Sequence, residues 1–88
     1  MTATVGVTAF YEHPPKTGKQ TRYEVWCAVQ SPEPGYEREF CFDVFNTIHA
    51  MAFGRAHETG RVLRVTYHDS QHWREVDRVE FVEPGHAN

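Results

Sequence analysis

The 88-residue sequence has little of most things that betray a function. Two cysteines, Cys27 and Cys41, are too few and too isolated for a disulfide framework or a zinc knuckle. Both sit in strand-like runs, where a reduced thiol behaves as a small hydrophobe. No window approaches the roughly 20 apolar residues of a membrane span, so no membrane partner is expected. The first residues, Met-Thr-Ala-Thr-Val-Gly-Val, have neither the basic nor the apolar region of a signal peptide, which points to the cytoplasm. A basic excess is missing too: the net charge is −3 and the pI near 6.0, unlike most dedicated nucleic-acid binders. There is no Gly-x-Ser-x-Gly elbow, no glycine-rich phosphate loop and no His-Glu-x-x-His. With no convergent nucleophile and base in view, the sequence predicts neither an enzyme nor a cofactor.

What remains is a chain with 40% apolar and 14% aromatic residues, well outside the disordered class. Its length supports one small core and one domain. Residues 4–12 alternate with period two, placing Val5, Val7, Ala9 and Tyr11 on one face and Thr4, Thr8 and Phe10 on the other. After a Pro14-Pro15-Lys16-Thr17-Gly18-Lys19 turn, residues 21–30 set Tyr23, Val25, Cys27 and Val29 against Arg22, Glu24, Trp26, Ala28 and Gln30. Such alternation marks an antiparallel strand with one wet face. A second turn holds Pro32 and Pro34. Residues 37–45 then direct Phe40, Phe42 and Val44 inward, with Glu39, Cys41 and Asp43 outward.

Asn46 is a good N-cap, and a helix is predicted over 47–58, with Ile48, Ala52 and Ala56 on one face and Gly60 as its stop. Residues 62–68 form a fourth strand with Leu63, Val65 and Tyr67 aligned. A polar loop leads to a last strand ending at 83, with Val79 and Phe81 on one face, and residues 84–88 are a tail. The expected core is Val5, Val7, Val25, Cys27, Phe40, Phe42, Val44, Ile48, Ala52, Leu63, Val65, Val79 and Phe81.

The predicted class is therefore mainly β: five antiparallel strands in a barrel or strongly curved sheet, with one helix between strands three and four. This order over residues 4–83 resembles the OB-fold, a five-stranded Greek-key barrel, although no diagnostic motif accompanies it. An SH3-like barrel or a curved sheet on one helix are the alternatives. A homo-dimer or higher homo-oligomer would help to cover an edge strand.

The resemblance implies a ligand face on strands two and three, bordered by the first and last loops. Residues 13–23 carry Lys16, Lys19 and Arg22 with no acid, and the last loop brings His72, Trp73 and Arg74. With Trp26 on the face, these seven residues pair cations with stackable rings, as single-stranded nucleic acid requires. Residues 33–43 oppose this, with Glu33, Glu37, Glu39 and Asp43 against Arg38. Glu24, Glu39 and Asp43 would share the ligand face and repel phosphates. A protein-interaction module, such as a small phage or mobile-element protein docking on a host protein, is the rival. An oligosaccharide binder using Trp26 and Trp73 is another. Six histidines raise a metal site, with His68, Asp69 and His72 as the nearest set, but no ligand set is complete.

Overall fold

The computed structural model describes residues 1–16, 20–30, 34–35, 37–71 and 74–83. Five strands and one helix follow the expected order: β1 Thr2–His13, β2 Arg22–Val29, β3 Glu39–Val44, α1 Thr47–Thr59, β4 Val62–Asp69 and β5 Arg74–Phe81. The strands form one antiparallel sheet in the order β3-β2-β1-β4-β5. Its two edges, β3 and β5, curl until they are neighbours in space. No ladder of backbone bonds joins them, so the sheet is curved but not closed, and "barrel" describes only its bend. Among the described residues, no helix is long and apolar enough to cross a membrane.

The core lies between the concave side of this sheet and α1. Val5, Val25, Cys27, Phe42, Phe53, Leu63 and Val65 are fully buried, joined by Phe40, Val44, Ala50, Ala56 and Tyr67. Aromatic rings dominate it. Phe42 sits 5.9 Å from Phe40, 6.0 Å from Phe53 and 5.5 Å from Tyr67, centroid to centroid. These spacings lie in the range where offset and edge-on ring pairs add to simple burial.

Two expectations about faces need correction. In β1 the pairing with β2 skips a residue between Val7 and Ala9, a bulge at Thr8. An extra residue inverts the alternation beyond it. Phe10 therefore turns inward to stack on Tyr23 at 5.5 Å, while Tyr11 is 53% exposed instead of sharing the face of Val5. In α1 the buried residues are Ala50, Phe53 and Ala56, and Ile48, expected in the core, is 77% exposed. Five positions at 100° each set Ile48 and Phe53 about 140° apart, so one apolar stripe cannot hold both. The larger ring fills the space over Phe42. Val7, Ala52, Val79 and Phe81 are half-buried at the rim of the core.

The ends of α1 are well determined. The Asn46 side chain accepts a hydrogen bond from the His49 backbone N–H at 3.1 Å. Gly60 takes the left-handed conformation (φ 72°) and donates its N–H to the Ala56 carbonyl. A residue with a Cβ costs about 1–2 kcal/mol in that conformation, which is why glycine ends the helix here.

Candidate functional site

The convex side of β1, β2 and β3 is built from residues that alternate away from the core. Arg22, Glu24 and Trp26 of β2 face outward beside Glu39, Cys41 and Asp43 of β3, in the register Glu24 to Asp43 and Trp26 to Cys41. Beyond the bulge, β1 adds Tyr11 opposite Glu24 and His13 opposite Arg22. The bulge residue also binds the sheet, since the Thr8 hydroxyl donates to the Trp26 carbonyl at 3.1 Å.

Glu24 organises this face. Its Oε2 accepts a 2.6 Å hydrogen bond from the Trp26 indole Nε1, and its Oε1 lies 3.1 Å from His13 Nε2. The bond from Trp26 first, and that from His13 second, hold the Glu24 carboxyl below its ordinary value. The indole, 38% exposed, is thereby fixed in orientation, with Tyr11 nearby as a second exposed ring. Arg22 reaches across to Asp43 with a 2.7 Å bond from its guanidinium to Oδ1. Among the outward residues of these strands, Glu24, Glu39 and Asp43 stand against Arg22 alone. The face is net acidic.

The seven residues expected to bind a ligand are therefore only partly assembled. Arg22 and Trp26 share the face, and Lys16 lines a shallow cleft with His13 and Arg22. Lys19, His72 and Trp73 lie outside the described residues. Arg74 turns away from the face and folds over the gap between β3 and β5. Its Nη1 donates to Glu37 Oε2 at 2.9 Å, its Nη2 to Glu37 Oε1, and its Nε to Asp69 Oδ1 at 3.1 Å. The same guanidinium sits 4.5 Å above the Phe40 ring and 5.7 Å from that of Tyr67. Hydrogen bonding to Glu37, then to Asp69, raises the Arg74 pKa further, and Arg74 holds the Glu37 carboxyl low.

A second exposed feature lies at the start of the helix, where the exposure of Ile48 and Met51 was not foreseen. Ile48 and Met51, one helical turn apart on α1, are 77% and 70% exposed, and Phe45 just before the helix is 40% exposed. Beside Met51 a cleft of about 540 Å³ opens between α1 and the sheet, walled by Phe10, Tyr23 and Phe81, with Arg55 and Glu58 at its edge. The sequence did hold a signal. Ile48 and Phe53 could not both face inward, so one had to be exposed.

Neither cysteine is an activated thiol. Burial pushes the Cys27 thiol up to about 12, and burial next to Asp43 and Glu24 raises that of Cys41. Both are protonated at neutral pH and are poor nucleophiles. His68 is gripped on both sides: Nδ1 lies 2.9 Å from each Asp77 oxygen and Nε2 lies 3.2 Å from Glu75 Oε2. Those carboxylates raise its pKa, Asp77 most of all. Among the described residues, no group of three or more His, Cys, Asp or Glu side chains could hold a metal ion. No protein-family model matches the chain, and searches of curated proteins and of solved structures find no match.

Proposed function

We propose that the chain is a non-enzymatic binding module on an OB-like curved sheet, and that its ligand is another protein. The OB-like reading is supported by the strand neighbours: β1 lies between β2 and β4, and the free edges of β3 and β5 face each other. The observation that carries the protein reading is the exposed apolar group of Phe45, Ile48 and Met51. Large apolar side chains at this exposure, two of them one turn apart on α1 and the third just before it, suit the apolar centre of a protein interface. Nucleic acid is the weaker reading because Arg22 and Arg74 are committed to Asp43, Glu37 and Asp69. Drawing either toward a phosphate would break an existing ion pair beside further carboxylates. A sugar is the second reading, favoured by the Trp26 indole that Glu24 holds rigid for stacking.

Oligonucleotide titration and partner capture separate these readings. A mixed-sequence 20-mer should leave Trp fluorescence unchanged even at low salt. Protein captured from lysate by the wild-type chain should be lost with Ile48→Asp/Met51→Asp, whose exposed positions leave the fold intact. Tight, salt-sensitive oligonucleotide binding that disappears in Lys16→Ala/Trp26→Ala would reverse the order of the readings.

A further inference from the structure

We infer that the cleft under the C-terminal end of α1 is a carboxylate-binding site centred on Arg61. The inference is independent of the protein-docking surface. Arg61 directly follows the Gly60 helix cap and leads into β4, so its backbone is fixed at both ends. Its guanidinium carbon lies 4.4 Å above the Phe81 ring, which holds the side chain flat. Nε has no exposed surface and no hydrogen-bond partner. Arg61 shares the lack of an ion pair with Arg38, Arg55 and Arg64 among the described residues, but it alone of them has a buried side-chain nitrogen without a partner. A partly buried guanidinium on an aromatic ring with no anion is an incomplete arrangement, because burial costs a charge its hydration without a counterion in return.

The space beside it has the shape and chemistry of the missing piece. The cleft encloses about 580 Å³ and is lined by Thr4, Gln30, Thr59, Val62, Val82 and Glu83. Gln30 and Thr4 contribute polar side chains to the same lining, and Val62 and Val82 provide apolar wall. Two carbonyls of the last helical turn are already occupied. The Arg55 carbonyl accepts from the Thr59 hydroxyl at 2.7 Å, and the Ala56 carbonyl accepts from the Gly60 N–H at 2.9 Å. The negative end of the helix dipole still opposes an incoming anion, and the Arg61 charge has to outweigh it. Glu83, exposed at the rim, is the one acid in the lining and competes with the ligand. One cation, one rival acid and valine walls fit a monoanion on an apolar stem better than a phosphate dianion. A planar carboxylate also matches the guanidinium fork. Such a group comes either from a small free acid or from an acidic side chain of a peptide.

The test follows the Arg61 Nε–H resonance and the backbone amides by NMR during titration with sodium hexanoate. Saturable shifts are expected at millimolar concentration, with neutral hexanamide and inorganic phosphate at least about tenfold weaker. A capped pentapeptide with one central glutamate distinguishes the sources: tighter binding than hexanoate assigns a peptide acid, weaker binding a free acid. Arg61→Gln should weaken hexanoate at least about tenfold with the amide spectrum otherwise preserved. If that variant loses the fold, Arg61→Lys keeps the aliphatic stem over Phe81 and should show the same direction of loss. Glu83→Gln should bind more tightly than the wild type. Equal binding of hexanamide, unchanged affinity in the folded Arg61 variant, or no gain in Glu83→Gln would overturn the inference.

Discussion

Replacing Arg74 by glutamine should show how firmly the sheet is held where its backbone leaves a gap. Arg74 stands at the start of β5, and Glu37 and Phe40 belong to the β3 side. Its side chain is 23% exposed, but Glu37 and Asp69 are 56% and 60% exposed, so solvent screens the ion pairs strongly. Discounted accordingly, the paired carboxylates contribute about 0.5–1 kcal/mol. The guanidinium over Phe40 adds about 0.5–2 kcal/mol, since that side of the contact is desolvated. The total, about 1–3 kcal/mol, lowers the melting temperature by roughly 5–15 °C for a domain of this size. Urea titrations of Arg74→Gln, Glu37→Gln and the double variant should show a coupling of at least about 0.5 kcal/mol between the two residues. The pH dependence has a definite sign. Because the Glu37 carboxyl is depressed, its contribution is present above the ordinary glutamate value of 4.5 and is lost as pH falls through the lower, folded value. The gap between wild type and Arg74→Gln should therefore narrow in acid. An unchanged melting temperature at pH 7, or additive effects in the double variant, would refute the view that side chains hold β3 and β5 together.

Two other outcomes follow from the core and from the exposed hairpin. Phe42→Ala removes a fully buried ring that contacts Phe40, Phe53 and Tyr67, and should cost about 3–5 kcal/mol in urea or thermal unfolding; an unchanged urea midpoint would contradict that packing. His68 should titrate above 6.5 by NMR, and Asp77→Asn should bring its midpoint down. As its folded pKa is raised, the stability it contributes is full below the unfolded value and fades as pH rises through the folded one.

Most of the fold was legible because four of the six elements signal themselves locally. The alternation in β2 and β3 sorts Val25, Cys27, Phe40, Phe42 and Val44 from their wet neighbours without reference to the rest of the chain. β1 misled because a bulge is a property of two strands together, and nothing in Val7-Thr8-Ala9 announces it. The helix misled because a wheel ranks faces by hydrophobicity, whereas the aromatic cluster around Phe42 chose Phe53 over Ile48 by shape. The site was less legible for a similar reason. Arg22 and Trp26 could be placed from strand alternation, but the capture of Arg74 by Glu37 joins residues 37 positions apart. A count of local charge treats Arg74 as available to a ligand. The folded chain has already given it a partner.

The bulge at Thr8 has a consequence for how copies of this chain meet one another. Pairing of β1 with β4 covers Thr2 to Gly6, so among the described residues the far half of β1, beyond the bulge, pairs with β2 on one side and with no strand on the other. An open strand edge invites another chain to add itself and start an aggregate. A bulge strengthens the local twist, which is one of the ways an exposed edge is blunted. Glu12 and His13 then place ionisable groups along it, and Pro14 and Pro15 follow at once, where neither can donate a backbone hydrogen bond. The irregularity that exposes Tyr11 also protects the chain against edge-to-edge stacking.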